Sequence, residues 1–476
     1  MEWLLHLLLG ERTPTQCNSA PKVSPMRRYR LSLSAALIAL FASIGLSATG
    51  CGVAADEMQS GGSAPYEAEP PSSGGSSGGS SGGSTGGSST GGSSDGGSTG
   101  SSSDDSSSSD GGEQTTNPGD KEPTSGQLTA GEWRDLNHWK FWIDLFDSED
   151  HDWDGWAGKW GIHPKERYAV QVTSGKQPVT DARVELVDSQ GRAIWSARTD
   201  NRGRAELFNG FLGQGSSGAL SIEATAGGAD AVKHDVSQTT DQRIALNFDQ
   251  VAPPSANLDV MFTIDTTGSM GDELSYLQSE IEDVIDRTQK RVDQQLSIRL
   301  SVNAYRDETD SYVVDSEPFR QDIARQADEL SDHNAGGGGD YPEAVGAALD
   351  DAINGHQWRS QAQARLLFLI LDAPPHDESA VKAQIQSAAK KAAKKGVRIV
   401  PIAASGVDKS TEYLMRSLGI GTGGSYVFLT DHSGIGNSHI EPTIGQYEVQ
   451  YLNNLLVDII TRYAMEIAEV AGGDGM

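Results

Sequence analysis

Leu258-Asp259-Val260-Met261-Phe262-Thr263-Ile264, running straight into Asp265-Thr266-Thr267-Gly268-Ser269-Met270, is the stretch on which the fold of the C-terminal half turns. The first seven residues read as an almost continuous apolar strand. Leu274, Leu277, Ile281, Val284 and Ile285 then recur at spacings of three and four, which predicts one buried face of a helix. The same alternation continues outward. Strands are predicted at Leu296–Ala304, Leu366–Leu371, Val397–Ala403 and Ser425–Leu429, and helices at Glu343–Ile353, Ala380–Lys395 and Val449–Tyr463. Strands this apolar need cover on both faces, which a doubly wound, Rossmann-like α/β sheet provides. Such sheets bind ligands beyond the carboxyl ends of their strands, where the strand order reverses.

Asp265-Thr266-Thr267-Gly268-Ser269 falls at such an end. One carboxylate and two hydroxyls on a tight loop are hard oxygen donors, suited to Mg²⁺ or Mn²⁺ held partly by water. The motif resembles the Asp-x-Ser/Thr-x-Ser metal-ion-dependent adhesion site of the von Willebrand factor type A family. Asp372, closing the Leu366–Leu371 strand before Ala373-Pro374-Pro375-His376, matches the position of that family's last aspartate. Gly336-Gly337-Gly338-Gly339-Asp340-Tyr341-Pro342-Glu343 departs from the members that carry a threonine ligand here. It is similar to a Gly-Gly-Asp-x-Pro-Glu subgroup, in which Asp340 is the nearest oxygen donor by position. The resemblance therefore implies a site of Asp265, Thr267, Ser269, Asp340 and Asp372 holding Mg²⁺ or Mn²⁺, with Ca²⁺ as an alternative. A third carboxylate would make the ion less electrophilic toward an incoming ligand. Tyr305-Arg306-Asp307 and Gly423-Gly424-Ser425-Tyr426-Val427-Phe428-Leu429 also resemble the family, which extends the likeness from Leu258 to about Ala464. The plainer reading is that these Asp and Ser residues merely cap the helices that follow.

Upstream of the Pro253-Pro254 break the pattern is different. From 166 to 250 it has period two: Tyr168, Val170 and Val172, then Ala182, Val184 and Leu186, with turn clusters at Asp188–Gly191 and Asp200–Gly203. This predicts a small antiparallel β-sandwich, and the segment is similar to carboxypeptidase-regulatory or transthyretin-like sandwiches. Residues 127–165 hold six of the nine tryptophans: Trp133, Trp139, Trp142, Trp153, Trp156 and Trp160. Packing against a neighbouring domain is expected of them, and a sugar-binding or docking surface is the alternative. Asp147, Asp150, Asp152 and Asp154 faintly suggest a calcium loop, although the glycine and terminal glutamate of an EF-hand are missing.

Residues 52–126 are dominated by Gly and Ser with scattered Asp, a composition that buries no core and predicts a disordered tether. About 70 such residues have a root-mean-square span on the order of 45 Å. Before them, Met26-Arg27-Arg28-Tyr29-Arg30, the apolar run Leu31–Leu46 and Ala48-Thr49-Gly50-Cys51 have the layout of an export signal. The last four residues resemble a bacterial lipoprotein cleavage box, with Ala48 in place of the usual leucine, so Cys51 is the expected lipidation site. Acyl chains at about 0.8 kcal/mol per buried methylene would anchor the chain without a spanning helix. Residues 1–25 read as an over-extended start, 255–466 as the α/β domain, and 467–476 as a flexible tail.

With 66 acidic and 37 basic residues, the formal charge is −29, and no Lys/Arg stripe offers itself to phosphates. Nucleic acid is thus not an expected partner. The only cysteines, Cys17 and Cys51, precede the folded segments, which excludes a disulfide within them. The expectation is a non-enzymatic, exported lipoprotein on the outer membrane or cell surface, binding a protein or surface ligand that offers a carboxylate. A periplasm-facing assembly scaffold is the alternative. A metal-assisted hydrolase using His376 and Asp377 beside Asp372 is a third reading.

Overall fold

The computed structural model describes residues 123–292 and 296–465. The export signal, Cys51, almost all of the Gly/Ser stretch and the 467–476 tail lie outside the described residues. Strand β1 (Thr129–Trp133) comes first. Eight short strands follow: β2 (Glu166–Ser174), β3 (Gln177–Pro178), β4 (Arg183–Val187), β5 (Ala193–Arg198), β6 (Arg204–Asn209), β7 (Ser221–Ala226), β8 (Ala229–Lys233) and β9 (Ile244–Phe248). The α/β part contributes β10 (Asn257–Asp265), β11 (Ser297–Tyr305), β12 (Val314–Ser316), β13 (Ala364–Leu371), β14 (Val397–Ala403), β15 (Tyr426–Leu429) and β16 (Gln450–Tyr451).

A mixed sheet of eight strands in the order β12-β11-β10-β13-β14-β15-β1-β16 forms the centre. Strands β11, β10, β13, β14 and β15 run parallel, while β12, β1 and β16 are antiparallel to their neighbours. The chain steps from β10 to one side for β11 and to the other for β13. The order therefore reverses beside β10, and the carboxyl ends of β10 and β13 lie next to each other.

Every residue of β13 and β14 is buried, as parallel strands covered on both faces require. Alternate side chains part company. Leu366, Phe368 and Ile370 join a core with helices α3 (Leu274–Val292) and α8 (Leu452–Ala464), while Leu367, Leu369 and Leu371 join another with α6 (Ser379–Lys395) and α7 (Lys409–Thr422).

Residues 129–133 belong to this central sheet, not to the tryptophan-rich segment in which the sequence reading put them. Strand β1 pairs with the exposed edge of β15, Ala130 opposite Leu429 and Trp133 opposite Tyr426. Gly131 is required there, because a Cβ would fall 2.5 Å from the Phe428 ring. An antiparallel partner needs no crossover helix, so five residues far away in sequence can complete the sheet.

The segment 166–250 forms two four-stranded sheets. In one, β3 and β6 run antiparallel to β2, and in the other the order is β5-β4-β7-β8. Strand β9 departs from the antiparallel expectation by pairing parallel with β2, a register open to a strand that returns only after the whole second sheet. Both sheets share one core with α6 and α7, in which Trp195, Phe208 and Phe211 pack together.

Five of the six clustered indoles are buried and Trp156 is half-buried, as packing against neighbouring elements requires. Trp142 lies on the short helix α1 (Trp139–Asp144), and Trp153 and Trp160 on α2 (Trp153–Trp160). Trp160 donates to the Ser410 carbonyl at 2.9 Å, tying α2 to α7. Asp152 is the N-cap of α2, accepting from the Gly155 amide at 3.1 Å. Between the Trp142 and Trp153 rings, at 5.0 and 5.1 Å, sits the guanidinium of Arg416. It is buried with two carboxylates, donating to Asp135 at 2.6 Å and to Glu412 at 3.1 Å. Asp135 also accepts from the Trp133 indole at 3.0 Å.

Breaking a buried pair on one side leaves a charge with no compensation. Asp135→Ala should therefore lower the unfolding free energy in urea by about 3–5 kcal/mol. A loss under about 1 kcal/mol would show that the arginine is not held as described.

Candidate functional site

The last residue of β10, Asp265, is fully buried, and its Oδ1 accepts from the Thr267 amide at 2.9 Å and the Thr267 hydroxyl at 2.6 Å. The Thr267 and Ser269 hydroxyls are 3.2 Å apart. Thr266 fixes the loop to β11, its amide and hydroxyl both donating to the Tyr305 carbonyl, at 2.9 and 3.0 Å. At the adjacent strand end Asp372 is buried as well. Asp265 Oδ2 and Asp372 Oδ1 are sealed from solvent and accept no hydrogen bond.

The glycine-rich loop lies across this motif. The Gly336 amide donates to the Thr266 carbonyl at 3.1 Å, and the Gly268 amide to the Gly337 carbonyl at 3.3 Å. Gly337 and Gly338 take φ of +79° and +71°, and a Cβ on Gly337 would meet the Asp310 carboxylate at 2.3 Å. Asp310 in turn accepts from the Gly338 amide at 2.8 Å. The path that results leaves Asp340 exposed on the rim and carries Glu343 inside, where its Oε2 is a third buried oxygen without a partner. Ser269, Asp340, Glu343 and Asp372 line one open cleft of about 660 Å³.

The electrostatics follow from this crowding. Burial and the Asp372 carboxylate push the Asp265 carboxyl well above the ordinary range. Asp372 is raised by burial and by the charges of Glu273 and Asp272. Burial, then Asp265, Asp307, Asp372 and Asp310, push Glu343 up to about 9. Such a set lacks a positive charge. Among the described residues no group of three or more His, Cys, Asp or Glu side chains converges on one point, so the donor set here is two carboxylates with two hydroxyls.

Asp265, Thr267, Ser269 and Asp372 are thus brought together, and Asp340 stands at the edge of the same cleft. Glu343 escaped the sequence reading because Pro-Glu at a helix start looks like an ordinary first-turn acid. His376 and Asp377 are not brought together: His376 Nε2 meets Asp307 Oδ1 at 2.6 Å, whereas Asp377 pairs with Lys382 at 2.6 Å. Burial disfavours the charged imidazole, yet Asp307 outweighs it and holds the His376 pKa above its usual value. Across the cleft, His439 bridges Glu273 at 2.8 Å and Asp431 at 2.7 Å, and Asn437 donates to Asp272 at 2.7 Å, which fixes the loop forming the far wall.

Residues 259–434 match the family model described as the von Willebrand factor A domain, and this span contains Asp265, Thr267, Ser269, Asp340, Glu343 and Asp372. No curated protein matches the chain.

Because Asp265, Asp372 and Glu343 hold protons more tightly folded than unfolded, their contribution to stability is complete below the ordinary carboxylate range near pH 4 and is lost as pH rises through their folded values. In chelator-treated buffer the melting temperature should fall from about pH 5 to about pH 9. Glu343→Gln should remove the upper part of that slope. Superimposable melting profiles for the two proteins across the range would contradict the assignment.

Proposed function

We propose that the chain is an exported, lipid-anchored protein whose von Willebrand factor A domain docks a partner's carboxylate through a divalent cation. Support comes above all from the unpartnered buried oxygens of Asp265 and Asp372 beside the Thr267 and Ser269 hydroxyls. Burying ionised carboxylates without a counter-charge is costly, and a hard cation is the counter-charge that oxygen donors of this kind accept. Asp265, Thr267, Ser269 and Asp372 would hold Mg²⁺ or Mn²⁺, with Glu343 or Asp340 as the donor from the glycine-rich loop. Bound there, the cation would supply an electrophile facing the open cleft, to which a ligand oxygen can be added.

The chain's own residues set the terms of that encounter. Thr267 orients the Asp265 carboxylate by two hydrogen bonds and leaves the other oxygen for the ion. Tyr341, half exposed and tied by its hydroxyl to the Gly406 carbonyl at 2.7 Å, offers an aromatic contact beside the site. Docking rather than turnover is favoured, since His376 is engaged by Asp307 and Asp377 by Lys382. In this reading Cys51 carries the lipid, the Gly/Ser stretch supplies reach, and residues 166–250 act as a sandwich-like spacer below a site on the outer membrane or cell surface.

Calorimetric titration of Mg²⁺ and Mn²⁺ into the full chain tests the site; a truncation at Leu258 would remove β1 from the sheet. One saturable site is expected, together with a stabilisation of about 2.7 kcal/mol when the ion is at a hundred times its Kd. The Asp265→Ala, Ser269→Ala double variant should lose both. Binding that persists unchanged in the folded double variant would refute the proposal.

A further inference from the structure

Opposite Asp265 in the parallel pairing of β10 with β11 stands Tyr305, so the two side chains leave the sheet on the same face. The Tyr305 backbone already serves the site. Its carbonyl accepts from both the amide and the hydroxyl of Thr266, at 2.9 and 3.0 Å, and so holds the loop that carries Thr267 and Ser269. The phenol is fully buried, and its ring belongs to the core shared with α6 and α7.

Core packing accounts for the ring but not for the hydroxyl. Phenylalanine would fill the same space, and burying a hydroxyl that closes no hydrogen bond is unfavourable. The Tyr305 hydroxyl lies beside the Asp265 carboxyl, near enough that each shifts the other's pKa, yet outside the geometry of a formed hydrogen bond. Burial, then the charges of Asp265 and Asp372, hold the phenol well above its ordinary pKa, so it keeps its proton and stands as a donor. Glu343 acts on it in the same sense, so all three carboxylates of the pit bear on this one hydroxyl.

We infer that Tyr305 is a positioning residue of the proposed metal site: its phenol O–H donates to the ionised Asp265 carboxylate and fixes that carboxylate's orientation toward a bound cation. The inference rests on the reading of the pit as a cation site. Thr267 already holds one Asp265 oxygen by two hydrogen bonds, so a donor to the carboxylate's other side leaves it a single orientation. A carboxylate oxygen has lone pairs enough for a phenol and an ion together. The bond strengthens with the charge on its acceptor, and the charged carboxylate is the form that takes up a hard cation. Hydrogen-bonding groups that orient a metal ligand in this way typically alter metal affinity by about 10–100-fold.

The test compares Tyr305→Phe with the parent, both as the full chain, by calorimetric titration of Mg²⁺ and of Mn²⁺. One site is expected in both proteins, weaker by about tenfold or more in Tyr305→Phe. Saturating Mg²⁺ should also produce an ultraviolet difference band of tyrosine in the parent, as the phenol gains a charged acceptor, and Tyr305→Phe should lack it. In chelator-treated buffer Tyr305→Phe should melt no lower than the parent, because it loses a hydroxyl with no formed hydrogen bond. Equal affinities, or an unchanged tyrosine band in Tyr305→Phe, overturn the proposal and leave the metal site standing. So does a lower metal-free melting temperature with affinity unchanged, which would assign the hydroxyl to stability alone. No cation binding by the parent overturns both this proposal and the function on which it rests. Should Tyr305→Phe fail to fold, Mn²⁺-loaded crystals of the parent decide: the Tyr305 hydroxyl within hydrogen-bond distance of Asp265 supports the role, and a hydroxyl turned away from it overturns the role.

Discussion

Asp265, Asp372 and Glu343 neighbour one another in a pit at the carboxyl end of the central sheet, and each keeps a buried oxygen without a hydrogen-bond partner. This is the constraint around which the rest of the domain is arranged. Left ionised and alone they would repel one another at low dielectric, so the pit must hold either protons or a cation. The surroundings do little to relieve it, since Asp307, Asp310, Asp272 and Glu273 add further negative charge. Donors capable of satisfying the spare oxygens were available to the sequence. Lysine or arginine at the rim would have served, yet the two histidines beside the site, His376 and His439, are spent on Asp307 and Glu273.

Topology puts the pit where it is. Because the strand order reverses at β10, two strand ends point into a gap not filled by a crossover, and both carry aspartate. The glycine-rich loop then crosses the gap, its positive φ angles at Gly337 and Gly338 allowing the close approach that turns Glu343 inward. Away from the site, the same sheet recruits β1 and leans the tryptophan-rich helices on α7, so residues from 128 onward belong to the same cores as the α/β elements. Arg416, fixed by Asp135 and Glu412 between two indoles, is one polar tie between them.

Much of this is legible in the sequence. Nearly continuous apolar runs marked β10, β13 and β14, and the three-and-four spacing marked α3, because burial on both faces or on one stripe leaves that imprint directly. The Asp265–Ser269 motif and Asp372 could be read because their residue types and strand-end positions coincide. Other features left no local imprint. Strand β1 is five residues long and is specified by the edge of β15, and the pairing of β9 with β2 is set by long-range return of the chain. Helix α7 is buried on nearly every side, so it has no polar face to give a period. Glu343 differs from a capping acid only through the backbone path of the four glycines before it, which composition does not encode.

The most direct measurement is anomalous X-ray diffraction from crystals of the protein grown with Mn²⁺. The account predicts one strong manganese peak between Asp265, Thr267, Ser269 and Asp372, with Glu343 or Asp340 completing the protein's share of its coordination. A well-diffracting crystal with no peak there, the carboxyls hydrogen-bonded to one another as acids, would contradict it.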